Sequence, residues 1–573
     1  MTARAKWGGR RGGEVARPRP DAPARGRHAT PRFDAVELSL ANDLFAACAE
    51  EMGVTLMRTA HSPNIKERLD HSCAIFDDTG RLVAQAAHIP VHLGSMPRAV
   101  EAARARGPFV PGDVILLNDP YAGGTHLPDL TLVSPVFLSP ARRGAARAPD
   151  FFVASRAHHA DVGGSAPGSL PLAREVYEEG LRIPPLHLLR AGVLQEDVLR
   201  LLLANVRTAD ERRADLAAQL GAQVTGARRL VSLAARHGAG ARGAATLRAA
   251  AAALMDVTET RMRRALAALP RGRFRAEDLL DDDGRGTLDI RIAVTLTLGG
   301  GRARVDLTRS APQTAGPLNA VQAVTRAAVA YVVRCIVGEM PVNDGAFRPI
   351  EVVTRPGSVV DPRPPAAVGA GNVETSQRIV DAVLRAFQRA LPERVPAASS
   401  VTMNNLLVGG FDPRTGTPFV YYETLGGGHG AGPGWDGEHA LQAHMTNTRN
   451  TPVEALEHAY PMRVIETRIR RGSGGKGRWR GGDGIVRAIE LLAPARVTVI
   501  SERRRRGPYG LAGGGEGSPG ANSLSVLTAR GRRVARVMPG KFEFASAAAT
   551  VVTVASPGGG GFGRAPRRAR RRA

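Results

Sequence analysis

Cysteine is nearly missing from this 573-residue chain: Cys48, Cys73 and Cys335 are the three present, far apart and with no CxxC pair. That excludes a disulfide framework and a thiolate zinc site, and makes a reducing cytoplasm the expected compartment. Aromatic residues amount to only 4%, too few for a surface that stacks nucleic-acid bases. No run of about 18 apolar residues occurs, so no membrane-spanning helix is expected. The N-terminus is basic but has no apolar segment behind it, so no secretory signal is read there. Neither a GxxxxGK[ST] phosphate loop nor a GxSxG nucleophile elbow is present, and no ATP site is assigned to the chain. The lack of a fixed-period repeat argues against solenoids and propellers.

What is there resembles a soluble globular protein: 43% apolar and 23% charged residues, at a length that suits two or three packed units. The net charge of +25 is unevenly spread, with thirteen of those charges in residues 1–32 and 564–573. Both ends are Arg, Gly, Pro and Ala without hydrophobic period, which reads as disordered, solvated tails in preference to a nucleic-acid arm. A nucleic-acid partner and a membrane partner are therefore not expected.

Between the tails the pattern predicts a mixed α/β (α+β) fold. An N-terminal α/β domain over 33–285 opens on an amphipathic helix from Ala35 to Met57, with Leu38, Leu44, Phe45, Cys48 and Met52 at helical spacing. Strands follow at 73–77 and 82–85 around Asp78-Thr-Gly80, then at 114–117, 130–138 and 150–157, and a long Leu/Ala/Arg-rich helical region covers 186–269. A strand-rich, glycine-loop C-terminal domain over 286–563 begins with a hairpin at 287–307 around Gly299-Gly-Gly301. It carries a helix at 374–391 and then apolar runs near 416–422, 462–468, 485–492, 496–501, 523–528 and 549–555.

The chemistry concentrates in residues 61–161, where His61, Glu67, Asp70, His71, His88, His92, Asp119, His126, Asp129, His158, His159 and Asp161 fall, including seven of the chain's 14 histidines. His126-Leu-Pro-Asp129 opens one predicted strand and Arg156-Ala-His-His159 closes the next. If the two pair antiparallel through the 139–149 turn, His126, Asp129 and His158 converge at one edge. Two imidazoles and a carboxylate suit Mn²⁺, Fe²⁺ or Zn²⁺ with positions left for water or substrate; capping of strand ends is the alternative. His158 and His159 point to opposite faces, so only one is expected against the ion.

Other patterns carry less. Gly426-Gly-Gly-His-Gly430 and Gly472-Ser-Gly-Gly-Lys-Gly477 read as glycine-dependent turns more readily than phosphate cradles. The polar run His444-Met-Thr-Asn-Thr-Arg-Asn450 either lines a substrate pocket, through His444, Asn447 and Asn450, or bonds a buried loop's backbone. Cys73 reads as core rather than nucleophile, and Arg503 to Arg506 as a solvated edge that discourages sheet pairing.

Several strings together resemble the hydantoinase B family: Ser62-Pro-Asn-Ile-Lys-Glu-Arg-Leu-Asp70, Gln85-Ala-Ala-His-Ile-Pro-Val-His-Leu-Gly-Ser-Met-Pro97, Asn118-Asp-Pro-Tyr-Ala-Gly-Gly-Thr-His-Leu-Pro-Asp129, Ser155-Arg-Ala-His-His-Ala-Asp-Val-Gly-Gly164 and Tyr177-Glu-Glu-Gly-Leu-Arg-Ile-Pro-Pro185. Downstream, Thr375-Ser-Gln377, Met403-Asn-Asn405, Tyr421-Tyr-Glu423, His444 to Asn450, Arg478-Trp-Arg-Gly-Gly-Asp-Gly484 and Pro557-Gly-Gly-Gly-Gly561 extend the likeness over roughly 33–563. The resemblance implies the B-type component of an ATP-dependent cyclic-amide hydrolase of hydantoinase or 5-oxoprolinase type. A hydantoinase A-type ATPase subunit would bind ATP and phosphorylate the carbonyl oxygen of a small cyclic amide, and the two would form a hetero-oligomer. A ketone carboxylase subunit and a non-catalytic assembly subunit are the alternatives. The resemblance places a divalent metal on His126, Asp129 and His158, with Glu67 as a fourth ligand. Asp161 or His159 would orient or deprotonate the attacking water, and Asp119 would fix polar groups of the substrate.

Overall fold

The computed structural model describes residues 33–86, 89–139, 148–528 and 530–565. The expected tail over 1–32, residues 566–573 of the other tail, His88 and the 140–147 part of the turn lie outside the described residues.

Seven strands form the first sheet: β1 (His71–Asp77), β2 (Leu82–Gln85), β3 (Val114–Leu117), β4 (Asp129–Val136), β5 (Phe151–His158), β6 (Leu186–Arg190) and β7 (Val193–Leu194). Their order is β2-β1-β5-β4-β3-β6-β7, and every pairing is antiparallel. The central strands are apolar without alternation because both faces are covered. Cys73 and Ile75 of β1 pack beneath the helices Ala35–Thr59, Ala209–Arg236 and Ala241–Ala267, while Ala74 and Phe76 pack against the helix Met96–Arg104. Cys73 is thus core, and burial pushes its thiol well above the usual range. The first helix starts where Asp34 and Glu37 form a reciprocal capping box. It buries Phe45, Cys48, Met52 and Leu56 at three- and four-residue spacing.

The region 186–269 differs from the expectation at its start. Residues 186–194 make the β6–β7 hairpin, closed by Ala191 and Gly192 at positive φ, and helix begins only at Glu196–Ala204. Leucine-rich spacing alone does not separate a short edge hairpin from a helix.

The later half has three more sheets. The hairpin Leu288–Gly299/Arg302–Asp306 joins Gly272–Asp282 and Ile350–Val353 and packs on the helices Gln322–Val337 and Ser376–Ala390. A four-stranded sheet (Thr417–Glu423, Asn405–Asp412, Ala495–Ile500, Lys541–Ser546) and a five-stranded sheet (Met462–Arg470, Gly484–Leu491, Thr550–Ala555, Ala521–Leu527, Arg533–Met538) share one apolar core. The fold is α+β. No described helix is long and apolar enough to cross a membrane.

The glycine loops of this half are layered backbone on backbone. Gly559 donates to Gly482 O, Gly482 to His429 O, Gly428 to Pro557 O and Gly560 to Ala398 O. A Cβ at Gly482 would stand 1.8 Å from the Glu438 carbonyl oxygen, and one at Gly559 1.9 Å from that of His429. Close approach, rather than left-handed φ, is what these positions require.

Arg503 and Arg504 depart from the solvated-edge expectation, whereas Arg505 and Arg506 are exposed. Arg503 is buried, its guanidinium 2.7 Å from Asp278 and 2.6 Å from Asp381. Arg504 bonds Asn404 and Asn522, and Arg505 and Arg506 share Asp289. Two carboxylates distant in sequence neutralise Arg503, which is why it can sit inside.

Candidate metal centre

The edge where β1 starts, β4 starts and β5 ends gathers the site. Asp129 is the first residue of β4 and sits directly opposite His158, the last of β5. The backbone N–H of His158 donates to Asp70 O, just before β1. His126 precedes Asp129 on the loop that follows the short turn Pro120–Ala122, and His92 closes the turn Pro90–His92. All five residues are buried.

Three ligand atoms, one each from His126, Asp129 and His158, lie within 4.8 Å of one another. His126 Nε2 stands 3.0 Å and His158 Nδ1 3.3 Å from Asp129 Oδ1. The opposite atoms of two of these groups are held by other partners. His126 Nδ1 faces Gly369 O at 3.3 Å, which directs Nε2 inward as a lone-pair donor. Asp129 Oδ2 accepts from Thr125 Oγ1 and lies 3.4 Å from His92 Nε2, while His92 Nδ1 contacts Ser72 Oγ at 2.9 Å. Buried His126 Nε2, Asp129 Oδ1 and His158 Nε2 are left without a hydrogen-bond partner. Orphaned donor atoms on two imidazoles and a carboxylate, with the far atoms of His126 and Asp129 held, fit a divalent cation of the Mn, Fe or Zn group.

The electrostatics agree with that fit. Burial alone would push the Asp129 carboxyl up, but His126, with His158 and His92, holds it well below the usual range. Burial lowers His92 and His158, against the pull of Asp129. Burial raises Asp70, opposed by His158 and Arg68. Carboxylate and neutral imidazoles are the forms that bind metal.

These groups line one side of a small cavity that leaves about 20 Å³ to the centres of water-sized spheres, room for about one such occupant. Asp70, His92, Asn372, Tyr422, Thr424 and Thr446 supply its other polar atoms. Tyr422 stacks on His158 with ring centroids 4.8 Å apart. Its hydroxyl donates to Asn405 Oδ1 at 2.9 Å, and the Arg68 guanidinium carbon lies 4.5 Å from the Tyr422 ring centroid.

A family model described as Hydantoinase B/oxoprolinase matches residues 34–565. The chain belongs to the hydantoinase B/oxoprolinase family. It is 40% identical to 5-oxoprolinase 1 of Arabidopsis thaliana over 92% of its own length but only 42% of that protein's, so it spans less than half of that relative. It is 31% identical to the B-type component named for a D-/L-hydantoinase of a Pseudomonas strain, with 90% of this chain and 87% of that one covered. Among solved structures, the ATP-dependent caprolactamase of Pseudomonas jessenii superposes with a TM-score of 0.83 at 28% identity, over 94% of this chain and 93% of that one. An acetone carboxylase structure shares the fold, with a TM-score of 0.79 at 18% identity over 92% of this chain and 75% of that one.

Within this family member, the remaining sequence-predicted residues fall in different places. Glu67 ends the short helix Pro63–Lys66 and is not among the cavity-lining residues, whereas Asp70 is. His159 points to the other face of β5, its Nε2 3.0 Å from Gln219 Oε1. Asp161 has both oxygens engaged, by the N–H groups of Gly163, Gly168 and Arg207 and by the Arg207 guanidinium at 2.7 Å. Asp119 accepts from Tyr121 N and caps the turn Pro120–Ala122. In the 444–450 run it is Met445 and Thr446 that reach the cavity. His444 faces Tyr331, Asn447 is exposed, and Asn450 donates to Glu423 Oε2 and Thr424 O. Asp70 and His92 stood in the histidine-rich stretch without an assigned role; Tyr422 and Asn372 carry no local signal that separates them from core residues.

Proposed function

We propose that this chain completes the ring opening of a small cyclic amide whose carbonyl oxygen a separate ATPase subunit of hydantoinase A type has phosphorylated. The observation that carries the reading is the orphaned His126–Asp129–His158 group at a cavity of about 20 Å³. Relatives named as a hydantoinase component and a caprolactamase, matched over most of their length, support the substrate class. The absence of a nucleotide loop in this chain, and its span of 42% of 5-oxoprolinase 1, support a partner that supplies the ATP chemistry.

His126, Asp129 and His158 would hold the divalent metal. When bound, the cation lowers the pKa of water and polarises a substrate oxygen. Asp70, rather than Glu67, contributes the second carboxylate at the cavity, and its raised pKa suits it to take a proton from the attacking water. As water adds to the activated ring carbon and the C–N bond breaks, the same proton can pass to the departing ring nitrogen, leaving an acyl phosphate and a free amine; a second water then displaces inorganic phosphate and leaves the carboxylate. The cavity has room for about one water-sized occupant, so the ring enters only if its walls move apart; Asn372, Thr424 and Thr446 would then offer it hydrogen bonds, and Tyr422 with Ile89, Val91 and Val373 limits entry of bulk water. Asp119, Asp161, His159, His444, Asn447 and Asn450 do not line this cavity and take no part in the proposed reaction.

The test is metal content by mass spectrometry for wild type, His126→Ala and His158→Ala, together with ATP-dependent ring opening in the presence of the co-expressed partner. Near-stoichiometric metal that disappears in both variants, with loss of ring opening, is expected. Metal retained in both variants would overturn the centre. Product formation that requires bicarbonate would replace the hydrolase reading with a carboxylase one.

A further inference from the structure

Glu179 is a buried carboxyl whose Oε2 has no hydrogen-bond partner among the described residues. It ends the short helix Val176–Glu179 and is 1% exposed, and burial pushes it up to about 8 against the pull of two backbone donors. Those donors are Val368 N and Gly369 N, which give hydrogen bonds of 2.9 Å and 2.7 Å to the same oxygen, Oε1. The carbonyl of that same Gly369 faces His126 Nδ1. An added Cβ at Gly369 would stand 2.8 Å from Leu170 Cδ2 and 3.1 Å from Glu179 Oε1, so the Val368–Gly369 segment packs closely on Glu179. The contact is part of a longer seam: Val176 donates to Pro365 O, Ala367 donates to Arg174 O, and Tyr121 Oη donates to Ala366 O. Three residues beyond Gly369 the chain reaches Asn372 and Val373 at the cavity.

We infer that Glu179 is a positioning residue for the metal centre: by clamping the Val368 and Gly369 amides it aims the Gly369 carbonyl at His126 Nδ1, which fixes the tautomer that presents Nε2 to the cation. Oε1 accepts in either protonation state, so the clamp does not depend on titration. The inference rests on the proposed metal centre, and it explains why a lone carboxyl is kept where desolvation is unfavourable.

The experiment uses the full-length chain with Glu179→Ala, Glu179→Gln, Glu179→Asp and, as a buried control away from the seam, Thr258→Ala. Affinity for Mn²⁺ or Zn²⁺ is read by competition with a chelator, and the Nδ1–H signal of His126 is read by ¹⁵N-histidine NMR on metal-free protein. Glu179→Ala is expected to weaken metal binding about tenfold and to broaden or shift the Nδ1–H signal. Glu179→Gln, which keeps the acceptor, stays close to wild type, Glu179→Asp falls between, and Thr258→Ala is unchanged. If Glu179→Ala does not fold, the contrast between Gln and Asp decides. Wild-type affinity in Ala or Asp, or a Gln variant as weak as Ala, overturns the clamp. Failure of wild type to bind metal overturns the proposed function instead, and the metal-free NMR signal then decides the clamp by itself.

Discussion

Asp129 and His158 occupy one rung of the β4–β5 ladder, and their side chains meet with Oδ1 3.3 Å from Nδ1. The ladder is held by main-chain bonds, so the side chains can change without disturbing it. Asp129→Asn is expected to lose metal by more than the ~10–100-fold typical of outer-shell changes, with little shift in the melting temperature of metal-free protein. A large shift in that temperature would mean that the carboxylate serves the fold instead.

The far oxygen of Asp129 is held by Thr125 and approached by His92. Thr125→Val keeps the shape and removes the donor. Chelator competition should show metal affinity reduced by about tenfold, with the effect confined to binding when unfolding curves are compared.

Acid should destabilise the protein through its buried histidines. Burial, with Arg212, pushes His159 down from 6.5 to about 4, and burial also lowers His92 and His158. Between pH 6.5 and 4 the unfolded chain binds protons that the folded chain refuses, so stability rises with pH across that window and is lost as pH falls through it. His159→Gln should flatten the dependence by up to one proton, roughly 1.4 kcal/mol per pH unit. Urea unfolding of metal-free protein at several pH values in that window measures the slope.

The buried Arg503 neutralises Asp278 and Asp381 together. Removing it leaves both carboxylates to Arg378, 3.3 Å from Asp278 and 4.0 Å from Asp381, and Arg503→Ala should cost up to about 3–5 kcal/mol in denaturant unfolding. Exposed Arg304, paired with Glu351 on the surface, should cost no more than about 1 kcal/mol on the same change.

Glycine substitutions should separate sharply by site. Gly299→Ala meets nothing within 4 Å and is expected to be nearly neutral. Gly482→Ala drives a methyl group into the Glu438 carbonyl, and the cost should exceed the ~1–3 kcal/mol of ordinary overpacking because backbone, not a flexible side chain, must yield. Expression yield and melting temperature distinguish the two.

The His126–Asp129–His158 group was legible because its parts are local: a histidine three residues before a carboxylate at a strand start, and a second histidine at the end of the next strand. The antiparallel pairing through a short connection then does the rest. Asp70 and His92 lay in the same histidine-rich stretch, but which of its members face the cavity depends on how the β1 start and the Pro90–His92 turn pack. Tyr422, Asn372 and Met403 come from segments more than 200 residues downstream, where an aromatic or apolar residue looks like any other core residue. Asp161 shows the converse. Proximity in sequence suggested the site, but Arg207, which no local pattern links to it, takes its oxygens. Arg503 likewise finds its acids 225 and 122 residues away.

The layered glycine loops also constrain how the chain can be made. Gly428, Gly475 and Ala431 donate to Pro557, Gly559 and Gly560, and Gly558 and Gly561 donate to Ser518 and Gly515, so the strip around residues 557–562 is the middle layer of a stack whose other members are translated about 40 to 160 residues earlier. Those earlier loops bond one another in part, as Gly482 does His429 O and Gly481 does Gly475 O, but the N–H groups of Gly428, Gly475 and Ala431 lack these partners until the strip is made. The late half therefore closes in one long-range event, once that strip has been made, and a truncation that removes only the residues after 556 should leave it open and exposed to chaperones and proteases.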